Sequence, residues 1–154
     1  MIEEKLNSMG LNLPRKISPL GSYVQVIIMG QAAFVSGQIP LDFDLEPVQL
    51  RFKGKVGKDV SIEDAKKAAH ICIINALGHL NVALGTLENI KKIVKVTGYI
   101  NCESSFTKHA EVMNGASDLI LNIFGDIGKH TRVSVGTNSL PLDSPVELDM
   151  IVEI

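Results

Sequence analysis

Hydrophobic residues alternate with polar ones along several short stretches of this 154-residue chain and recur with helical spacing in two longer stretches. Alternation predicts strands, of which the first two form a hairpin around a tight Gly-Gln turn. The predicted strands cover residues 23–30, 32–37, 48–56 and 93–100, and two more begin near Arg132 and Val146. The first 22 residues, with two glycines and two prolines, indicate a short helix followed by an irregular arm.

The two longer stretches carry apolar residues at the spacing of an amphipathic helix. The first begins after Ser61, whose relation to Asp64 is typical of a capping box, and ends at Gly85. The second covers residues 106–124 and is followed by a glycine. The order βββαβαββ predicts an α+β fold, a two-layer sandwich in which a mixed sheet carries both helices on one face. The length favours a single domain over residues 1–154.

The last two predicted strands place charged residues among alternating valines. Alternation places Val133 and Val135 on the core side of their strand. If the two strands pair as a hairpin, a register with Arg132 opposite Glu147 is allowed. The side chains facing away from the core would then be those of Arg132, Ser134, Glu147 and Asp149. Such an arginine-glutamate pair is either a cross-strand salt bridge, worth at most about 1 kcal/mol, or an anion site in which a guanidinium grips a carboxylate. The pattern alone leaves both alternatives open.

Composition narrows the range of partners. A net charge of -2 gives no general attraction to phosphate backbones, and the alternating basic residues of 51–58 favour a solvated strand face over a nucleic-acid groove. No apolar stretch approaches the roughly 20 residues that cross a bilayer, and the acidic N-terminus is unlike a signal peptide, so we expect a cytoplasmic protein without membrane contact. Cys72 and Cys102 lack close Cys or His partners, which favours buried free thiols over a metal site.

Four stretches follow one another along the chain: SPLGSYVQVIIMGQAAFVSGQIPLD, IVKVTGYINCESSF, VMNGASDLILNIFG and HTRVSVGTNSLPLDSPVELDMIVEI. They resemble consecutive blocks of the Rid family, the reactive intermediate deaminases that are also called YjgF-like or endoribonuclease L-PSP proteins. The resemblance covers nearly everything from Ser18 to Ile154. It implies a chorismate-mutase-like fold, in agreement with the α+β order. It also implies a homotrimer with ligand clefts between neighbouring subunits, whose interior would be formed by the exposed sheet face.

The resemblance further implies a function, the hydrolysis of 2-imino or enamine acids to 2-keto acids and ammonia without a metal or another cofactor. Arg132 matches the arginine that binds the substrate carboxylate, and Glu147 matches the carboxylate that positions or activates water. The remaining positions matched to the cleft are Tyr23, Ser36, Gly37, Asn114 and Ser134. The chemistry is consistent with these residues, because an iminium carbon needs only a fixed carboxylate and one delivered water.

The chain departs from the archetypal pattern in a longer N-terminal arm, a longer second-helix segment and Ser134, where cysteine is common. It resembles the longer branch of the family, in which activity does not follow from the family name. Two other functions therefore stay open: a non-catalytic binder or sensor of small carboxylates, and a ribonuclease or translation inhibitor. The negative balance, two tyrosines and no tryptophan offer little for binding a specific nucleic acid.

The histidines form no predicted metal site. His130, just before Arg132, either contributes to the cleft or caps an exposed loop. His70, His79 and His109 lie within helical patterns without metal-ligand spacing, so we expect them to face solvent or to pack.

Overall fold

The computed structural model describes residues 1–14 and 21–154, in which a five-stranded mixed sheet carries two long helices on one face. Residues 15–20 of the predicted irregular arm lie outside the described residues. The helices are α1 (Ile2–Ser8), α2 (Ile62–Leu84) and α3 (His109–Phe124). The strands are β1 (Val26–Met29), β2 (Ala32–Gln38), β3 (Leu41–Asp42), β4 (Gln49–Leu50), β5 (Lys92–Asn101), β6 (Thr131–Thr137) and β7 (Val146–Glu153). The predicted α+β fold class is confirmed.

The helices form where local signals predict them. Ser61 caps α2 by accepting a hydrogen bond from the Asp64 backbone N–H at 3.1 Å, and Gly85 ends the helix in the left-handed region with φ 78°. The helix α3 starts a few residues later than predicted, because a turn closes first between Glu103 and Phe106. Both helices turn apolar faces to the sheet and form one buried core with it.

The main sheet has the strand order β1-β2-β7-β5-β6, and all neighbours are antiparallel except β5 and β6. These two strands are parallel because α3 connects them as a crossover, which returns the chain to the same end of the sheet. The last two strands do not pair as a hairpin, since β5 lies between β6 and β7. Glu147 is paired with Tyr99 of β5, so the register with Arg132 opposite Glu147 does not occur.

The facing of β6 is the reverse of the prediction. Its register aligns Arg132 with Val96 and Ser134 with Gly98, both on the helix-covered face of β5. Val133 and Val135, which were predicted to face the core, are 43% and 41% exposed on the open face. The sequence pattern was ambiguous here because β6 is an edge strand in which neither set of alternating side chains is fully buried.

The predicted strand over residues 48–56 is also wrong, apart from the two residues of β4. This strand pairs only with β3, in a separate two-stranded sheet. Gly54 and Gly57, with φ of 108° and 87°, turn the chain soon afterwards, in a conformation that other residues rarely adopt. The basic run of residues 51–58 thus does not form a strand face.

Each of three basic side chains in that run has its own partner. Arg51 forms an ion pair with Asp42, and Lys58 forms one with Glu103. The Lys55 ammonium donates to the Asn101 side chain at 3.0 Å. This part of the surface therefore does not present a row of uncompensated positive charges to a phosphate backbone.

The two cysteines are buried and free, as predicted. His70 is exposed, whereas burial lowers the pKa of His79 to about 4, and the His109 ring packs edge-on against Phe106. None of the helices in the described part of the chain combines the length and apolarity needed to span a membrane.

Candidate functional site

Arg132 extends from the edge strand β6 to α3. Its Nη1 donates hydrogen bonds to Asn114 Oδ1 and to Ser117 Oγ, both at 3.0 Å, and its Nη2 donates to the Ala110 carbonyl at 3.4 Å. These acceptors are four and three residues apart, so they lie on one face of the helix. The strand and the helix together hold the guanidinium at the edge of the sandwich.

The contacts with α3 leave part of the guanidinium free. A guanidinium has five N–H donors, of which these contacts use three. No acceptor in the described residues takes the Nε hydrogen or the second Nη2 hydrogen, and no described carboxylate forms an ion pair with Arg132. Nε and Nη2 form one edge of the guanidinium plane, the arrangement to which a carboxylate binds through two hydrogen bonds. Arg132 can therefore bind a carboxylate without losing its contacts with α3.

Sequence reasoning did not assign Ser117 to the site, because it falls on the otherwise apolar stripe of α3. In the structure Ser117 Oγ contacts both Arg132 and His130, whose Nε2 is 3.0 Å away. His130 Nδ1 is 2.6 Å from the Gly128 carbonyl. His130 is half-buried, and its ring contacts both Ser117 and the loop carbonyl of Gly128, so its contribution to a cleft stays a prediction.

Ser134 follows Arg132 by two positions in β6 and faces the same side of the sheet. Its Oγ is buried and has no hydrogen-bond partner among the described residues. An unpaired buried hydroxyl costs on the order of 1–3 kcal/mol, so a partner supplied by a ligand would offset this cost. The role of Ser134 in binding stays a prediction.

Glu147 faces the opposite side of the sheet from Arg132. It lies next to Gly37 of β2, where an added Cβ would overlap the glutamate carboxylate. Burial raises the pKa of Glu147, and the negative charge of Asp149 on the same face of β7 raises it further. A carboxyl group with a raised pKa exchanges protons with water more readily near neutral pH.

Tyr99 of β5 lies beside these carboxylates. Its hydroxyl donates to Asp149 Oδ2 at 3.2 Å, and burial together with Asp149 raises the pKa of Tyr99. The tyrosine thus remains a hydrogen-bond donor near Glu147 over a wide pH range.

Tyr23 and Ser36 were also predicted to line the cleft, but among the described residues neither forms a hydrogen bond with Arg132 or Glu147. Tyr23 precedes β1 and is 46% exposed, and the observed strand starts three residues later than predicted. The Ser36 hydroxyl donates to Gln25 Oε1 at 2.5 Å, and Gln38 Nε2 donates to the same oxygen at 2.9 Å. Ser36 is therefore part of a local polar cluster at the β1–β2 end of the sheet.

The candidate residues form two groups within one chain. The arginine cluster consists of Arg132, Asn114, Ser117, His130 and Ser134. The glutamate cluster consists of Glu147, Gly37, Tyr99 and Asp149. The two clusters lie on opposite faces of the sheet, and β5 separates their strands by two strand spacings, or roughly 10 Å. The hypothesis that Arg132 and Glu147 face one cleft is thus not realised within a single chain.

The described part of the chain contains no group of three or more His, Cys, Asp or Glu side chains that could hold a metal ion. Two cavities, of about 520 and 750 Å³, border the N-terminal residues and α2. Neither cavity is lined by Arg132 or Glu147.

Comparison with known proteins identifies the family. Residues 3–154 match the family described as "YjgF/chorismate_mutase-like, putative endoribonuclease". The chain belongs to the YjgF-like family. The resemblance to Rid proteins inferred from the sequence blocks is thereby confirmed.

Relatives of this YjgF-like chain match it over almost its full length. A Trypanosoma cruzi protein named TCP17 is 34% identical over 154 residues, which cover 99% of this chain and 94% of that protein. The crystal structure of Atu1372 from Agrobacterium tumefaciens, described as a protein of unknown function, is 37% identical, with TM-score 0.88 and coverage of 99% and 91%. A Shewanella oneidensis MR-1 structure described as a "putative endoribonuclease" is 32% identical, with TM-score 0.93 and coverage of 100% and 99%. These matches support the chorismate-mutase-like fold.

Proposed function

We propose that this YjgF-like protein hydrolyses 2-imino or enamine acids to 2-keto acids and ammonia, in clefts between the subunits of a homotrimer. The observation that carries the proposal is the free Nε–Nη2 edge of Arg132, because every 2-imino acid has a carboxylate next to its reacting carbon. The half-buried Glu147 with a raised pKa and the resemblance to Rid proteins support the same function.

Hydrolysis requires that the iminium carbon be oriented toward a water molecule and that one group accept a proton from this water. With the substrate carboxylate held on Arg132, the oxygen of a water molecule forms a bond to the iminium carbon, and Glu147 accepts a proton from that water. The protonated Glu147 returns its proton to the carbinolamine nitrogen, the C–N bond breaks and ammonia leaves. The hydroxyl proton passes to the Glu147 carboxylate, and the 2-keto group forms. The positive charge of the iminium already activates the carbon, so the protein need not supply a nucleophilic side chain.

The proposal places the two clusters of one cleft on different subunits. Within one chain they face opposite sides of the sheet, so a single ligand does not reach both. The open face that carries Glu147 also exposes apolar side chains, among them Phe34 and Val133, at 37% and 43%. Such a surface favours burial against another subunit. In the proposed trimer, the arginine cluster of one subunit approaches the glutamate cluster of its neighbour.

The activity is tested with imines generated in the assay. An amino-acid oxidase produces 2-iminobutyrate or 2-iminopropionate, and semicarbazide trapping reports how fast the imine disappears. The wild-type protein should accelerate the loss. Arg132→Lys should fail as completely as Arg132→Ala, because an ammonium keeps the charge but loses the planar two-point contact. Glu147→Gln should keep carboxylate binding while losing rate.

Arg51→Ala is the matched control, because Arg51 is a half-exposed arginine paired with Asp42 away from both clusters. It should leave imine hydrolysis unchanged. If the wild-type protein did not accelerate imine loss, the deaminase proposal would be rejected. Equal activity of Arg132→Ala and wild type would reject the role of the arginine.

A second candidate function is a binder or sensor of small carboxylates. The specific observation in its favour is that the free edge of Arg132 is preformed by α3, without any contribution from Glu147. In this case the protein binds 2-keto acids such as pyruvate without hydrolysing imines, and Glu147→Gln changes nothing. Calorimetric titration with pyruvate, run beside the imine assay, separates the two functions.

A ribonuclease function has less support. The net charge is -2, and the three basic side chains described above have protein partners. We therefore expect no specific RNA binding at physiological salt. RNA cleavage that persisted through rigorous purification and disappeared in Arg132→Ala would contradict this expectation.

A further inference from the structure

A continuous chain of hydrogen bonds leads from Arg132 away from the proposed ligand. Arg132 Nη1 is 3.0 Å from Ser117 Oγ, and Ser117 Oγ is 3.0 Å from His130 Nε2. His130 Nδ1 is in turn 2.6 Å from the carbonyl oxygen of Gly128. The imine hydrolysis proposed above uses neither Ser117 nor His130 directly, so this arrangement needs its own explanation.

The chemistry of these atoms determines the direction of each hydrogen bond. A carbonyl oxygen only accepts, so His130 Nδ1 carries a hydrogen. Nε2 of the neutral ring is then an acceptor, and the Ser117 hydroxyl donates to it. The hydroxyl oxygen is left to accept from Arg132 Nη1, which can only donate. The ring therefore orients the serine, and the serine orients the guanidinium.

Packing anchors both ends of this chain. A Cβ at Gly128 would lie 2.9 Å from the Ile120 carbonyl oxygen, so the turn that holds His130 is pressed directly against α3. Ser117 is in the middle of α3, where a serine hydroxyl often bonds to a carbonyl of its own helix. Here it contacts Arg132 and His130 instead. Its position is thus explained by its two polar partners rather than by helix formation or core packing.

We propose that Ser117 and His130 are positioning residues that hold the Arg132 guanidinium with its Nε–Nη2 edge available to a carboxylate. The inference rests on the proposed function for the identity of the ligand, but the hydrogen-bond chain is present without one. Removing the Ser117 hydroxyl takes one acceptor from Nη1. The guanidinium then rotates more freely about its Nε–Cζ bond. Ordering it when the ligand binds costs conformational entropy, which weakens the affinity.

Nitrogen-15 NMR of the full-length protein tests the hydrogen-bond chain without substrate. At pH 8 the His130 ring, assigned by its loss in His130→Gln, should show the Nδ1–H tautomer. Arg132 should give separate Nη signals in the wild type and averaged signals in Ser117→Ala. Ser117→Thr keeps the hydroxyl and should keep the signals separate. Arg51→Ala, which removes an arginine paired with Asp42 away from both clusters, is the matched control and should leave the Arg132 signals unchanged.

Pyruvate binding and imine kinetics test the consequence. Ser117→Ala and His130→Ala should each weaken pyruvate binding about five- to tenfold, the effect of one lost hydrogen bond. The KM should rise by a similar factor while kcat changes little, because the arginine contact is made in both ground and transition states. An Nε2–H tautomer, separate Nη signals in Ser117→Ala, or wild-type binding by both variants would overturn the proposal. Failure of the wild type both to accelerate imine loss and to bind pyruvate would instead overturn the proposed function, and the NMR signals would still decide the positioning chain.

Discussion

The raised pKa of Glu147, which suits it to accept a proton in the proposed reaction, also affects the stability of the folded chain. Burial and Asp149 raise the pKa of Glu147 above its ordinary value of 4.5 in the folded chain, so the folded state binds this proton more tightly than the unfolded state does. The resulting contribution to stability is fully present below pH 4.5 and is lost as the pH rises through the raised value. The carboxylate is therefore a cost to the fold near neutral pH.

We expect Glu147→Gln to be close to the wild type in stability at pH 4 and more stable at pH 7, because the amide has no charge to bury. Thermal unfolding of both proteins across this pH range measures the difference. Glu111→Gln, at an exposed position of α3, should show no pH-dependent difference from the wild type. A variant that became relatively less stable as the pH rose would show that a positive group of a neighbouring subunit neutralises Glu147.

Gly37 gives a second prediction at the residue scale. Its φ does not require glycine, so alanine is compatible with the backbone, but the new Cβ would overlap the Glu147 carboxylate. We expect Gly37→Ala to fold and to lose imine hydrolysis by on the order of 10- to 100-fold, because the displaced carboxylate no longer meets the attacking water. Steady-state imine assays measure the loss. Val48→Ala, at an exposed position outside both clusters, is the control, and unchanged kcat in Gly37→Ala would contradict the placement of Glu147 in the cleft.

The residues of the site differ in how far the sequence could predict them. Arg132 and Glu147 stand out because charged side chains interrupt apolar alternation, and the family resemblance assigned roles to both. Ser117 could not be found in this way, since a serine on an apolar helical stripe has no charge or motif to mark it. Its partners come from a strand and a turn more than ten positions away, and only the crossover through α3 brings them together.

At the scale of elements, the crossing of α2 and α3 depends on Gly115. A Cβ at this position would lie 2.8 Å from the Lys66 Cα and carbonyl oxygen, which are backbone atoms that cannot rotate away. Alanine would gain roughly 1 kcal/mol in helix propensity over glycine, but the overlap forces the helices apart at a cost of about 1–3 kcal/mol. The helix α3 also carries the acceptors of Arg132, so its position affects the site.

We therefore expect Gly115→Ala to lower the free energy of unfolding by about 1 kcal/mol, the balance of these opposing effects. Urea denaturation at a fixed protein concentration measures the change in midpoint. Asn122→Ala, on the exposed side of α3, is the matched control and should stay within about 0.5 kcal/mol of the wild type. A raised midpoint in Gly115→Ala would mean that the helices separate at little cost.

Elements with local signals were predicted well. A cap and a terminal glycine marked α2, and alternation marked β5 and β7. The pairing of β6 with β5 could not be inferred, because a parallel partner across a helical crossover leaves no signal in the intervening residues. The alternation of valines in β6 therefore placed Arg132 on the wrong face, because these valines are on the open side of an edge strand.

At the scale of the whole molecule, the open sheet face and the separated clusters point to the same assembly. The face that carries Glu147 also exposes apolar side chains, which favour burial against another surface over contact with water. The arginine cluster lies at the opposite face, on the edge strand β6. In the proposed trimer, a closed ring would bring the face of one chain to the edge of the next, and three chains would complete three equivalent clefts.

Mixing subunits tests whether each cleft needs two chains. Light scattering should first give three times the chain mass. We then expect Arg132→Ala and Glu147→Gln, each inactive alone, to recover activity when co-expressed. A cleft that joins Arg132 of a Glu147→Gln chain to Glu147 of an Arg132→Ala chain contains both functional side chains. Random assembly of equal amounts produces such clefts at about a quarter of all sites, whereas a site within one chain would recover none.

Co-expression of the wild type with a chain carrying both substitutions is the matched control for this experiment. A cleft shared between chains again needs the arginine from one wild-type subunit and the glutamate from another, so about a quarter of the sites are active. A site within one chain would leave about half of them active, because every wild-type chain would act alone. If clefts are shared between chains, about a quarter of the sites are active in both experiments. If each site lies within one chain, no sites are active in the first experiment and about half are active in the second. A monomeric mass together with no recovery in the first experiment and one half in the second would reject the trimer, and would mean that Arg132 and Glu147 are both required within one chain.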